Sequence, residues 1–161
     1  ARHVVNVASA AGITPSPNLS AYSATKHAVM GLNDTLSIEL NGSGIDVTAV
    51  CPGIINTPII RNRKAVSPVI PTEQLDKLEG HYRSQGAHPA LVGERIVRAV
   101  QRGQDIVLVG PTARPMFHIK RLSRRLMRLL TIEGCKRNGF IWPYTLPEST
   151  TVDPEQTATQ P

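Results

Sequence analysis

Aromatic residues are scarce in this chain: one Trp, three Tyr and two Phe make up 4% of 161 residues. Any core is therefore aliphatic and alanine-rich. Nucleic-acid binding has neither a recognition motif nor an aromatic platform among the basic residues. Cysteine is nearly absent. Cys51 and Cys135 are too far apart in sequence to form a disulfide framework or a zinc pattern, which favours a reducing, cytoplasmic setting. Long apolar runs are missing too, and none approaches the roughly 18 residues of a membrane span. His81 and His88 stand too isolated to propose as metal ligands.

What is present reads as alternating strands and helices. His3-Val4-Val5-Asn6-Val7-Ala8 is apolar and β-branched, as a buried strand is, and the strand is expected to run to about Ser9. A domain seldom opens inside a central strand, so the sequence predicts a piece of a longer protein with an open, hydrophobic sheet edge. Gly12, Pro15 and Pro17 mark a loop. Ser20 is a fair cap for a helix over 21–40, on which Val29, Leu32, Leu36 and Leu40 recur at helical spacing. Asn41-Gly42-Ser43-Gly44 stops it. Ile45 to Cys51 is a second strand, ended by Pro52-Gly53.

A long loop is expected from Ile54 to Pro71, the kind that serves as a lid. Its Ile54, Ile59, Ile60, Val66 and Val69 point to an apolar ligand. Helices follow over 72–85, with Thr72 as cap, and over 89–102, and then a third strand over 105–109. This order argues a parallel sheet with crossover helices. A basic helix is expected over 116–130, with Ile119, Leu122, Leu126, Leu129 and Leu130 on one face. The organisation is thus 1–110, a basic helical extension over 111–146, and a Pro- and Thr-rich tail over 147–161 that reads as disordered.

The chemistry concentrates in Ala21-Tyr22-Ser23-Ala24-Thr25-Lys26. The i, i+4 spacing places Tyr22 and Lys26 on one helix face. A nearby ammonium favours an ionised phenol, and so suits a tyrosine for proton transfer near neutral pH. Ser9, thirteen residues upstream of Tyr22, offers a hydroxyl that can hold a carbonyl or carbinol oxygen beside that phenol.

Three features together resemble the short-chain dehydrogenase/reductase family. The strand ending Asn6-Val7-Ala8-Ser9 is similar to the one carrying that family's active-site serine. Tyr22-Ser23-Ala24-Thr25-Lys26 matches its Tyr-x-x-x-Lys, and Pro52-Gly53-Ile54-Ile55-Asn56-Thr57 its Pro-Gly-x-x-x-Thr. The resemblance covers about 2–110. It implies an α/β fold, the last three strands of a Rossmann-like, doubly wound parallel sheet. It implies hydride transfer between NAD or NADP (NADP the preferred of the two) and a carbinol or carbonyl carbon. Ser9, Tyr22 and Lys26 would be catalytic. Tyr22, Lys26, Pro52, Gly53, Ile55 and Thr57 would contact the cofactor. It also implies a homo-oligomer paired through the 21–40 helix. The Gly-rich turn that takes the cofactor pyrophosphate in this family is missing. Asn41-Gly42-Ser43-Gly44 comes nearest, but follows a helix instead of a strand.

Other readings stay open. Tyr22 and Lys26 can be an ordinary amphipathic helix start, Ser9 a strand-end serine, and Thr57 a local cap. The chain can be a truncated, non-catalytic interaction or dimerisation module. A serine hydrolase is disfavoured, because Ala8-Ser9-Ala10-Ala11-Gly12 lacks the nucleophile elbow's first glycine. Cys51 and His27 read as structural.

Net charge is +6, and the segment from Pro111 to Gly139 alone carries eight Lys/Arg against Glu133. Its helix can pack one face on the domain, or lie peripherally on an anionic membrane surface.

Overall fold

The computed structural model describes residues 2–60 and 72–138. Residues 61–71 of the expected lid loop over 54–71, with its Val66 and Val69, and the tail 147–161 lie outside the described residues.

Three strands, β1 (Arg2–Val7), β2 (Ile45–Pro52) and β3 (Ile106–Val109), form a parallel sheet in the order β1-β2-β3. Val4 pairs with Val47 and Val7 with Val50, while Val50 pairs with Val107 on the other side. The central strand is sealed on both faces: Thr48, Ala49, Val50 and Cys51 are 0% exposed. That explains its unbroken apolar run, since alternation marks only a strand with one wet face.

Side-chain alternation along the strands divides the core in two. On one face Val50, Val107 and Val109 pack with Ala99, Leu91, Val92 and Ile96 of α3 (Pro89–Arg102). On the other, Cys51, Ile106 and Leu108 pack with Val29 and Met30 of α1 (Ser20–Glu39) and Phe117 of α4 (Ala113–Leu122). Thr48 ties the strands together. Its Oγ1 donates to the Gln104 carbonyl at 2.5 Å and lies 2.7 Å from His3 Nε2.

Edges and ends differ from the sequence reading in detail. β1 stops at Val7, so Ser9 lies beyond it, as cap of a 3-10 turn over Ala10–Gly12. Ser20 is the first residue of α1 instead of its cap, and Leu19 holds the cap position without a side-chain bond. Thr72 is likewise inside α2 (Thr72–Gln85).

The expected single basic helix is two. Ser123, extended at φ −155°, separates α4 from α5 (Arg124–Arg137) and caps α5 by accepting from Leu126 N at 3.1 Å. The break re-phases the apolar stripe. Met127 is buried, whereas Leu122 is 82% exposed. The five residues assigned to one face therefore do not share one. Serine mid-segment competes for backbone donors and favours a cap over a helix interior.

β1 is an edge strand among the described residues, and α1 is only partly covered, with Leu32 54% and Ile38 77% exposed.

Candidate active site

Parallel strands deliver their C-terminal ends to one edge of a sheet, and ligands of open α/β sheets bind outside that edge. Ser9, which follows β1, and the 52–57 segment, which begins at the last residue of β2, reach it side by side because β1 and β2 are neighbours.

Ser9 is half-buried, and its Oγ accepts from Ala11 N at 3.1 Å. That bond uses a lone pair and leaves the hydroxyl proton free to be donated.

Tyr22 sits in the first turn of α1, 42% exposed. The Lys26 Nζ lies 5.7 Å from the centroid of its ring, within cation–π range. The same ammonium donates to the Val7 carbonyl at 3.1 Å. That oxygen lies on the side of β1 away from β2, since the ladder continues through Ala8 N to Val50 O. The structure thus brings Tyr22 and Lys26 together and anchors them to the strand end that leads into Ser9.

Of the cofactor candidates, Pro52 closes β2 and Gly53 N donates to Val109 O at 2.8 Å. A Cβ on Gly53 would stand 3.3 Å from that carbonyl. Ile55 bridges Ala87 in parallel. The bonds run from Asn56 N to Ala87 O and from Ala87 N to Ile54 O, both 3.0 Å. Ile55's own amide and carbonyl therefore face the opposite way. Thr57 is half-buried, just before a 3-10 turn over Pro58–Ile60.

Three residues at this edge went unassigned in the sequence reading. The sequence marks Gly12 only as a loop residue. A Cβ there would meet Lys26 O at 2.6 Å and Lys26 C at 2.9 Å, so the turn after Ser9 lies directly on the α1 backbone at Lys26. Gly86 follows α2, where a glycine commonly ends a helix. Its Cβ would stand 2.7 Å from Asn56 N, so the end of α2 is pressed onto the 52–57 segment. Tyr82, one turn earlier, is half-buried near Tyr22. Burial first, and the charge of an ionised Tyr22 second, push its phenol above the ordinary value. No sequence signal joined Tyr82 to Tyr22, because the two meet only through the fold.

Cys51 is inert by environment: burial drives its thiol up to about 11, against a smaller opposing pull from a Ser9 backbone group. His27 is structural, as expected. Its Nδ1 donates to Ser23 O at 2.8 Å, and its Nε2 faces Lys120 Nζ of α4 at 3.3 Å. His88 caps α3 through Nδ1. Among the described residues no cluster of His, Cys, Asp and Glu could hold a metal ion. No helix among them is long and apolar enough to cross a membrane.

The chain is similar to known proteins over most of its length. Residues 2–67 match the family model for short chain dehydrogenase. The chain is 34% identical over 132 residues to the probable oxidoreductase EphD of Mycobacterium tuberculosis, across 78% of this chain and 22% of that protein. It therefore spans about a fifth of that relative's length. A short chain dehydrogenase/reductase from Burkholderia phymatum, in complex with NAD, superposes with TM-score 0.63 at 24% identity, over 77% of this chain and 48% of that one, a likeness of fold. A variant of actinorhodin polyketide ketoreductase with NADPH superposes with TM-score 0.55 at 30% identity, over 67% and 45%. Its α/β architecture, its parallel three-stranded sheet and the match over residues 2–67 place this chain in the short-chain dehydrogenase/reductase family.

Proposed function

We propose that the chain is the catalytic part of a nicotinamide-dependent oxidoreductase that interconverts an alcohol and a carbonyl compound. The observation that carries this reading is Lys26, whose ammonium reaches both the Tyr22 ring and the Val7 carbonyl beside Ser9. In this reading Ser9 donates to the reacting oxygen and fixes its position. Tyr22 gives that oxygen a proton in reduction and takes one in oxidation. The Lys26 charge stabilises the phenolate that results.

The residues present fit the nicotinamide end of the cofactor. Lys26 uses one of its three N–H groups on Val7 and keeps two for ribose hydroxyls. The Ile55 amide and carbonyl, turned away from the Ala87 bridge, suit a carboxamide, and Thr57 adjoins them. Pro52 and Gly53 would frame the ring. When bound, the nicotinamide supplies or accepts the hydride. NADP is the first to test, since the ketoreductase relative carries NADPH. Ile54 and Ile59, the latter 72% exposed, favour an apolar substrate.

The exposed Leu32 and Ile38 of α1 support a homo-oligomer paired through this helix. They also favour the second reading, a non-catalytic dimerisation module. Leu126, Leu129, Leu130 and Ile132, exposed among the arginines of α5, suit peripheral contact with anionic lipid.

The test is Tyr22→Phe in the full-length protein, with cofactor turnover followed against a panel of hydrophobic alcohols and ketones. A kcat lower by about two to four orders of magnitude is expected from loss of a general acid/base. Turnover equal to that of the parent protein, or none in the parent itself alongside tight self-association, would favour the module.

A further inference from the structure

We propose that the edge of β3 away from β2, which no strand pairs among the described residues, forms with the arginines on either side of it a binding site for a phosphate-type oxyanion. The proposal does not rest on the reaction proposed above. A cavity of about 160 Å³ wraps that edge, lined by Arg95, Arg98 and Arg102 of α3, Arg114 of α4, and β3 itself at Ile106 and Leu108. One water needs only about 10–15 Å³ on this measure, so a group of several heavy atoms has room. A second cavity of about 320 Å³ adjoins it and shares Arg95, Leu108 and Arg114, which leaves space for the rest of a larger ligand.

Two features bear on what this site can take, and the charge is the one that selects an anion. The first is the charge. The arginines come from helices on opposite faces of the sheet and converge at one edge. Arg95, Arg98, Arg102 and Arg114 take part in none of the ion pairs seen among the described residues, which join His3 to Asp46, Lys77 to Glu73 and Arg137 to Glu133. Arginine presents a planar fork that matches phosphate oxygens bidentately.

The second is the backbone. Asp105 O accepts from Ala49 N and Val109 O accepts from Gly53 N, both at 2.8 Å, so the odd-numbered residues of β3 address β2. The amides and carbonyls of Ile106 and Leu108 therefore both face away from β2, and of these only the amides can donate to an anion.

Inorganic pyrophosphate is the probe, titrated calorimetrically into the full chain at fixed ionic strength. Saturable binding is expected, weakened about tenfold or more in the double variant Arg95→Gln/Arg114→Gln, as loss of a bidentate charged contact implies. Vesicles of phosphatidylcholine, with and without phosphatidylinositol phosphate, distinguish the source of the group. Arginine-dependent binding to the phosphorylated vesicles assigns a lipid headgroup, and binding of free pyrophosphate without vesicle binding assigns a soluble phosphate ester. Either supports the site. No saturation at millimolar pyrophosphate, or equal affinity in the double variant, overturns it and leaves the arginines as guards against edge pairing. Tighter binding of poly-glutamate than of either phosphate probe overturns it in favour of an acidic peptide strand.

Discussion

The Lys26 ammonium donates to the Val7 carbonyl across 3.1 Å, and so fastens the helix that carries Tyr22 to the strand that leads into Ser9. A single side chain thereby sets the relation between two elements on which the proposed chemistry depends. Lys26→Met keeps the length and removes the bond and the charge. The contact is exposed, so unfolding by urea should shift by only about 0.5–1.5 kcal/mol. Activity of the full-length protein should fall far more than stability, by roughly two orders of magnitude or more. An unfolding midpoint and a kcat that decline in proportion would instead mark Lys26 as a structural tether.

Gly12 controls the same junction from the other side. A methyl group there meets backbone atoms of Lys26 at 2.6 and 2.9 Å, and Met30 Cγ at 3.2 Å. Backbone cannot swing aside as a side-chain tip can, so Gly12→Ala should destabilise by about 1–3 kcal/mol, as overpacking does. Gly31→Ala is the control. A Cβ there has nothing within 4 Å, and an interior helix position gains about 0.5–1 kcal/mol from alanine. Thermal melts of both variants should move in opposite directions. A Gly12→Ala melt unchanged from the parent would show that the turn yields freely.

Much of this was legible in the sequence because the relevant signals are local or depend on chain order. The apolar run Val47 to Cys51 marked a strand sealed on both faces, and Tyr22 and Lys26 share a face by helical period alone. Parallel strand order then carried Ser9 and Pro52 to one edge. What the sequence withheld depends on contacts between distant segments. Gly12 and Gly86 look like turn residues until Lys26 and Asn56 are found against them. Tyr82 comes within electrostatic reach of Tyr22 only through the fold, since 60 positions separate them in sequence. Ser123 was a different failure. Its capping signal was present but was outweighed by a long amphipathic pattern running through it.

The Tyr82 phenol offers a direct check on that neighbourhood. Burial is the larger cause of its raised pKa, and the charge of ionised Tyr22 the smaller. In Tyr22→Phe, Tyr82 should therefore titrate lower than in the parent yet still above an ordinary tyrosine. Tyrosinate difference absorbance, assigned with Tyr82→Phe, reads this. A Tyr82 titration that does not move would place the two phenols too far apart to interact, and would remove Tyr82 from the site's surroundings.

Cys51 makes the pH dependence of stability predictable. Its thiol has an ordinary value of 9.0 and is pushed up to about 11 by burial in the folded chain. Below pH 9 both states hold the proton, and the favourable contribution is complete. As pH rises from about 9 toward about 11 the unfolded chain gives up its proton first, so unfolding becomes easier by about 1.4 kcal/mol per unit. The whole loss is about 2–3 kcal/mol and is finished once the folded thiol also ionises. Urea unfolding across this range should show a steeper decline for the parent than for Cys51→Ala, whatever cost the smaller side chain imposes at neutral pH. Parallel declines would mean that the thiol is not the group responsible. The same burial predicts that thiol reagents label Cys51 only as fast as the chain opens, because the reactive species is the thiolate.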